Sequence, residues 1–281
     1  MKILLTGPTG QVGSALLGTL PALGIVVPVD RGQLDLLRPD SIRAAVRATR
    51  PDVIVNAAAY TAVDRAEKEE SIAFRINRDG PALLADEAAT LGALLVHFST
   101  DYVFDGEKPT PYVETDVPNP LNVYGRSKLG GEQAIQGSGC RHLIFRTSWI
   151  YGTKGNNFML TMMRLAREQK PLRVVDDQHG APTTSAMIAA AIPHTVSRVL
   201  SEASPGGLYH MSAAGSTTWC AFARAFLRTE IRAISSAEYP TAARRPRNSL
   251  LDNSKLDRTF NIRLPSWEAG LQEVLLSLGT D

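Results

Sequence analysis

Cysteine is nearly absent from this 281-residue chain, with only Cys140 and Cys220 present. Two thiols cannot build a disulfide framework or a zinc site, so the expected setting is a reducing one, the cytoplasm. An excess of charge is missing too: 30 Lys and Arg against 28 Asp and Glu leave +2, which gives no reason to expect a nucleic-acid or membrane partner. No apolar run approaches the ~18 residues of a membrane span. The apolar start, Ile3 to Leu5, breaks at once into Thr6-Gly7-Pro8-Thr9-Gly10, so neither a signal peptide nor an anchor is expected. The histidines, His97, His142, His179, His194 and His210, show no metal-ligand spacing and are expected to be packed or solvated. Gly-x-Ser-x-Gly and His-Glu-x-x-His motifs, internal repeats, coiled-coil heptads and low-complexity segments are all lacking.

What is present is a core: 44% of the residues are hydrophobic, which excludes intrinsic disorder. At this length roughly 75% of the unfolded chain's surface can be buried. In the first half, short β-branched runs alternate with amphipathic stretches. Lys2 to Leu5, Ile25 to Val29, Val53 to Asn56, Leu94 to Ser99 and Leu143 to Thr147 read as strands; Val12 to Leu20, Ser41 to Thr49, Ser71 to Leu91 and Ser127 to Gln136 read as helices. That rhythm predicts an α/β fold, a Rossmann-type doubly wound parallel sheet with its ligand crevice at the carboxyl ends of the strands. Beyond about residue 150 the pattern loosens into a loop at Thr153 to Asn157, a helix at Phe158 to Gln169 and a strand at Leu172 to Val175. Pro205-Gly206-Gly207 and Pro240 to Arg247 punctuate the remainder. The expected division is a dinucleotide-binding domain over 1–150, completed by part of 168–200, and a smaller, mainly substrate-binding region over 151–281.

Gly7, Gly10 and Gly13 follow the first strand and open a helix. Glycines there let the backbone turn tightly and approach a pyrophosphate, whose charge the helix N-terminus stabilises. The spacing is Gly-x-x-Gly-x-x-Gly rather than the commoner Gly-x-Gly-x-x-Gly. Asp30, read as the last residue of the second strand, can accept from adenosine ribose hydroxyls. Arg31 beside it can hold a 2′-phosphate, which leaves NADH and NADPH both open.

Tyr124 and Lys128 stand one helical turn apart in Tyr-Gly-Arg-Ser-Lys, on one face of a helix. An adjacent cation favours phenolate, so Lys128 is expected to lower the Tyr124 pKa from its usual value of about 10. Ser99-Thr100-Asp101-Tyr102 ends a predicted strand, where a hydroxyl can hydrogen-bond a carbonyl oxygen becoming an alkoxide. Asn56-Ala57-Ala58-Ala59-Tyr60 ends another, and its small side chains leave room for a nicotinamide.

These residues resemble the extended short-chain dehydrogenase/reductases and, among them, the dTDP-4-dehydrorhamnose reductase family. The resemblance runs through Thr6 to Gly13, Pro51 to Asp64, Ser99 to Gly106, Pro120 to Lys128, Phe145 to Gly152, Gly155 to Phe158, Asp177 to Thr183 and Arg245 to Leu250. It implies that Tyr124 is the general acid, that Lys128 lowers its pKa and binds the nicotinamide ribose, and that Thr100 orients the ketone. Gly7, Gly10, Gln11, Val12, Gly13, Asp30, Asp35, Leu36, Ala58 and Ala59 would line NADPH or NADH. Thr61, Val63, Asp101, Tyr102 and Trp149 would meet a nucleotide-sugar substrate. Arg245 would meet its diphosphate or lie as a surface arginine in a Pro-rich turn; Asn77 would support a proton relay or serve in helix capping or packing. Some members of the family pair through a magnesium ion held by glutamates, but Ala15 and Ala186 stand at the matching positions, so no metal is expected; a homodimer is left open.

The implied reaction is hydride transfer to C4 of dTDP-4-dehydro-L-rhamnose, giving dTDP-L-rhamnose. Tyr102 stands where a dehydratase would need an acid, which disfavours elimination. A 4-epimerase or another nucleotide-sugar 4-ketoreductase would use the same Tyr and Lys, and a regulatory subunit would bind NADP(H) without turnover.

Overall fold

The computed structural model describes residues 1–201 and 206–279, so Pro205 of the Pro-Gly-Gly turn lies outside the described residues. Five strands lead into the fold: β1 (Lys2–Thr6), β2 (Ile25–Val29), β3 (Val53–Asn56), β4 (Leu94–Thr100) and β5 (His142–Thr147). With Gly207–His210 they form one six-stranded sheet in the order Gly207–His210, β5, β4, β3, β1, β2, every neighbour parallel. β3 and β4 are buried along their whole length, as parallel strands covered by helices on both faces must be. The chain leaves β1 for β2 on one side and then continues through β3 to β5 on the other. The carboxyl ends of β1 and β3, carrying Thr6 and Asn56, therefore flank the switch point where such sheets bind ligands.

The helices follow as α1 (Gln11–Thr19), α2 (Pro39–Thr49), α3 (Val63–Ala66), α4 (Glu70–Phe74), α5 (Gly80–Leu91), α6 (Val123–Gly137), α7 (Phe158–Arg167), α8 (Ser185–Ser201) and α9 (Trp219–Phe226). One face of the sheet packs Leu5, Val55, Val96 and Phe145 against α1 and α8; the other packs Ile54, Leu95 and Ile144 against α2 and α5. A separate small core gathers Leu172 and Val174 with Ile231 and Cys220, where Leu172–Val175 pairs in parallel with Ile231–Ile234.

Three expectations need correction. Ser71 to Leu91 is not one α-helix: Arg75–Asp79 forms a π-turn between α4 and α5. Pro81 is the cause, since it has no N–H to give the Asn77 carbonyl four residues earlier, and the local register widens. The helix expected from Ser127 begins at Val123, capped by Asn122 whose side chain accepts from Gly125 N at 2.8 Å, so Tyr124 rides in its first turn. Asp30 falls just past the end of β2. Among the described residues no helix is long and apolar enough to cross a membrane.

Candidate active site

The glycines after β1 form a backbone cradle. Gly7 adopts φ +63°, and a Cβ there would stand 2.9 Å from Ala58 Cα; a Cβ on Gly13 would stand 2.0 Å from the Gly7 carbonyl oxygen. Only hydrogen fits at either place. No side chain caps α1, so its first N–H groups, at Gln11, Val12 and Gly13, remain available to an anion at a positive helix end. This cradle fits a dinucleotide pyrophosphate. Asp30 is exposed, with Oδ1 accepting from the Gly32 and Gln33 amides and Oδ2 outside that turn, and Arg31 stands exposed beside it, 3.7 Å from Asp35. Leu36 is buried against Gly80, so its side chain belongs to the core and its backbone alone can face a ligand. Ala58 and Ala59 are half-buried past β3. Gln11 reaches the opposite way, its Oε1 accepting from Asn157 at 3.1 Å.

Thr100, Asp101 and Tyr124 meet where β4 ends. Thr100 Oγ1 donates to Asp101 Oδ1 at 2.9 Å and accepts from Tyr102 N at 3.1 Å, and its hydroxyl lies near enough to the Tyr124 phenol to pull the phenol's pKa downward. Tyr102 and Tyr124 pack edge to face at 5.9 Å, a closeness permitted by Gly125, whose added Cβ would stand 2.2 Å from Tyr102 O. Burial raises the Asp101 carboxyl to about 6, against the pull of Ser249 and Thr100. Burial, then the Asp101 charge, pushes the Tyr124 phenol up to about 12. This reverses the expected depression by Lys128. The lysine is turned elsewhere: its Nζ donates to Phe98 O at 2.6 Å and lies 3.2 Å from His97 Nε2, and burial lowers its own pKa to about 8, against the pull of Glu132. A phenol so placed holds its proton through neutrality, the state required of an acid.

Beside these groups opens a hollow of about 1190 Å³, lined by Tyr102, Trp219, Arg173, Arg244, Arg245 and Arg247 among others. Arg245 is already engaged: its guanidinium grips Asp64 at 2.7 and 3.2 Å and donates to Ala243 O at 3.0 Å, and the Arg245 hydrogen bond holds the Asp64 carboxyl below its ordinary range. Arg244 and Arg247, its exposed neighbours, carry the accessible positive charge. Trp149, at φ +48°, stacks on Trp219 with ring centroids 3.5 Å apart and lies against Gly180. Thr61 is exposed and Val63 half-buried where α3 begins, ahead of Asp64.

Asn77, on the π-turn, is buried and fully used: Oδ1 accepts from Tyr60 N at 2.8 Å, and Nδ2 donates to Tyr60 O and Ser127 Oγ, both at 3.0 Å. It ties the loop after β3 to α6. Sequence reasoning missed Trp219, Arg244, Arg247 and the contact of His97 with Lys128; only the Pro-rich run at Pro240 to Arg247 gave a signal for the arginines. Ala15 and Ala186 line one small hollow together with Glu273, and among the described residues no group of three or more His, Cys, Asp or Glu is placed to hold a metal ion.

The comparisons extend over the whole chain. The family model described as RmlD substrate binding domain matches residues 1–279. A dTDP-4-dehydrorhamnose reductase of Salmonella typhimurium is 44% identical over 295 aligned residues, covering 100% of this chain and 99% of that protein. The crystal structure of a dTDP-4-dehydrorhamnose reductase from Bacillus anthracis in complex with NADP superposes with a TM-score of 0.93 at 36% identity, covering 98% of this chain and 99% of that one. One from Clostridium acetobutylicum gives 0.93 at 35% identity, covering 99% and 100%. By sequence and by fold along its full length, this chain belongs to the dTDP-4-dehydrorhamnose reductase family.

Proposed function

We propose that this protein reduces the C4 ketone of dTDP-4-dehydro-L-rhamnose to dTDP-L-rhamnose with NADPH or NADH. The observation that supports the reading is the gathering of Thr100, Asp101 and Tyr124 at the carboxyl end of β4, with Tyr102, packed edge to face on Tyr124, lining the arginine-rich hollow. Gly7, Gly10, Val12 and Gly13 would hold the pyrophosphate, with Asp30 or Arg31 at the adenosine ribose. The bound reduced nicotinamide supplies the hydride. Thr100 hydrogen-bonds the ketone oxygen, and Tyr124, protonated at neutral pH, transfers its proton to that oxygen as negative charge develops. Lys128, one turn along α6, stabilises the resulting phenolate and contacts the nicotinamide ribose. Arg244 and Arg247 attract the diphosphate, and the Trp149–Trp219 stack borders the sugar. A relative crystallised with NADP favours the phosphorylated coenzyme.

The test is loss of nicotinamide absorbance when dTDP-4-dehydrorhamnose and NADPH or NADH are added to purified protein, with the sugar product identified by NMR. Formation of dTDP-L-rhamnose is expected. Coenzyme binding without turnover would instead indicate a regulatory subunit. The two free thiols, Cys140 and Cys220, both buried, suit a reducing cytoplasmic setting.

A further inference from the structure

A line of buried polar side chains crosses the sheet behind the proposed acid. At the ends of β1 and β3, Thr6 Oγ1 donates to Asn56 Oδ1 at 2.7 Å and accepts from Ala58 N at 3.3 Å. Asn56 Nδ2 lies 3.0 Å from His97 Nδ1, its register partner on β4, and His97 Nε2 lies 3.2 Å from Lys128 Nζ on α6. Thr6, Asn56, His97 and Lys128 are each no more than 2% exposed. Four polar groups in so dry a place are costly unless each is partnered, and here each partners the next.

We propose that His97 is a positioning residue for Lys128: its imidazole, anchored through Asn56 and Thr6, holds the amine against the Phe98 carbonyl in either of the amine's protonation states. With the amine neutral, the ring takes a proton on Nε2 and donates to Nζ, while Nδ1 accepts from the Asn56 amide. With the amine charged, the tautomer reverses: Nε2 accepts from the ammonium, and Nδ1–H donates to the Asn56 oxygen after the amide turns over. The ring stays neutral in both. Burial, then the nearby Lys128 charge, holds its pKa well below the ordinary value. In the charged state Phe98 O and His97 take two ammonium protons, leaving the third for the ligand side. Of the other titratable or charged groups, Glu132 on α6, paired with Arg146 from β5, acts on the amine, while Tyr124 on α6 and Asp101 beyond the end of β4 act on each other. From β1 and β3 only the neutral Thr6 and Asn56 join the line.

This inference rests on the proposed function, because it gives Lys128 a ligand to meet. Its test needs only the coenzyme: the NADPH dissociation constant of the full chain, followed by indole fluorescence from neutral to alkaline pH. An amide nitrogen or oxygen at the end of Gln sits where Nε2 sits, whereas that of Asn sits where Nδ1 sits. His97→Gln therefore keeps the Lys128 contact, and His97→Asn keeps only the Asn56 contact. Loss of the acceptor disfavours the ammonium, so the alkaline midpoint of binding should move down by about one pH unit in His97→Asn and in His97→Leu. In His97→Gln it should stay with the wild type. Equal midpoints in all folded variants, or a Gln midpoint moved as far as the Asn one, overturn the proposal; a lower melting temperature alone, with unmoved midpoints, shows mere packing and also overturns it. His97→Asn carries the negative arm if the leucine variant does not fold. If the midpoints move as stated but the sugar ketone is not reduced, the substrate assignment fails and His97 keeps its role.

Discussion

The two sides of the active site treat charge in opposite ways. On the sheet side, ionic and polar groups are sealed: Lys128, Glu132, Arg146 and His97 are 4% exposed or less, and Glu132 accepts from Arg146 Nε at 2.9 Å and Nη2 at 2.7 Å while also accepting from Ser99. On the C-terminal side, Arg173, Arg244 and Arg247 stand exposed around a wide hollow, and the guanidinium of Arg245 shares a half-exposed pair with Asp64. The contrast suits the work proposed for each side. Moving a proton requires fixed partners in a low dielectric, where each interaction is strong. Capturing an anion from water requires charge that can be reached, and such charge costs little to leave solvated.

The sharpest way to break this contrast is Tyr124→Phe. It should lower kcat by about 10²- to 10⁴-fold, the usual worth of a general acid, while fluorescence titration shows NADPH binding preserved. Glu132→Ala strands Arg146 in the core and should cost about 3–5 kcal/mol in urea unfolding, because a buried charge loses its partner. Asp101 gives a smaller effect with a pH signature. Its folded pKa of about 6 lies above the ordinary 3.8, so its contribution to stability is fully present below pH 3.8 and is lost as pH rises through 6. Wild type should therefore lose about 3 kcal/mol relative to Asp101→Asn between pH 3.5 and 7.5, measured by denaturant titration of both proteins. On the open side, Asp64→Ala should cost only about 0–1 kcal/mol of stability, with its larger effect on KM as Arg245 loses its orientation. Equal losses for Glu132→Ala and Asp64→Ala would erase the distinction between the two sides. Least of all, Arg164→Ala removes an exposed pair with Glu168 and should move the unfolding midpoint by no more than about 0.5 kcal/mol.

How much could be read from the chain itself depends on the range of each interaction. The glycine turn before α1 and the Tyr124–Lys128 spacing are local, fixed by backbone geometry within a few residues, and the structure places both at the sheet's carboxyl edge. The start of α6 was missed because its cap is Asn122, outside the amphipathic run. The π-turn had a local signal in Pro81, but a single proline in an otherwise periodic stretch does not announce a widened register. The contacts of His97 with Lys128 and of Arg245 with Asp64 join residues far apart in sequence, through strand register and loop packing that no local pattern encodes. The direction of the Tyr124 shift was misread for a related reason: one helical turn put the cation in reach, but burial and the orientation of the lysine decided the outcome.

The position of Gly207–His210 at the edge of the sheet bears on how the protein is born. Its hydrogen-bonding partner, β5, ends at Thr147, and α8, which covers one face of the sheet, comes from the intervening chain. A nascent polypeptide emerging from the ribosome thus displays the glycine turn before α1 and the helix bearing Tyr124 and Lys128 before the flank of β5 is closed. Until then that bare edge is open to mispairing with other strands. Shortened translation products ending ahead of Gly207 would keep that edge open.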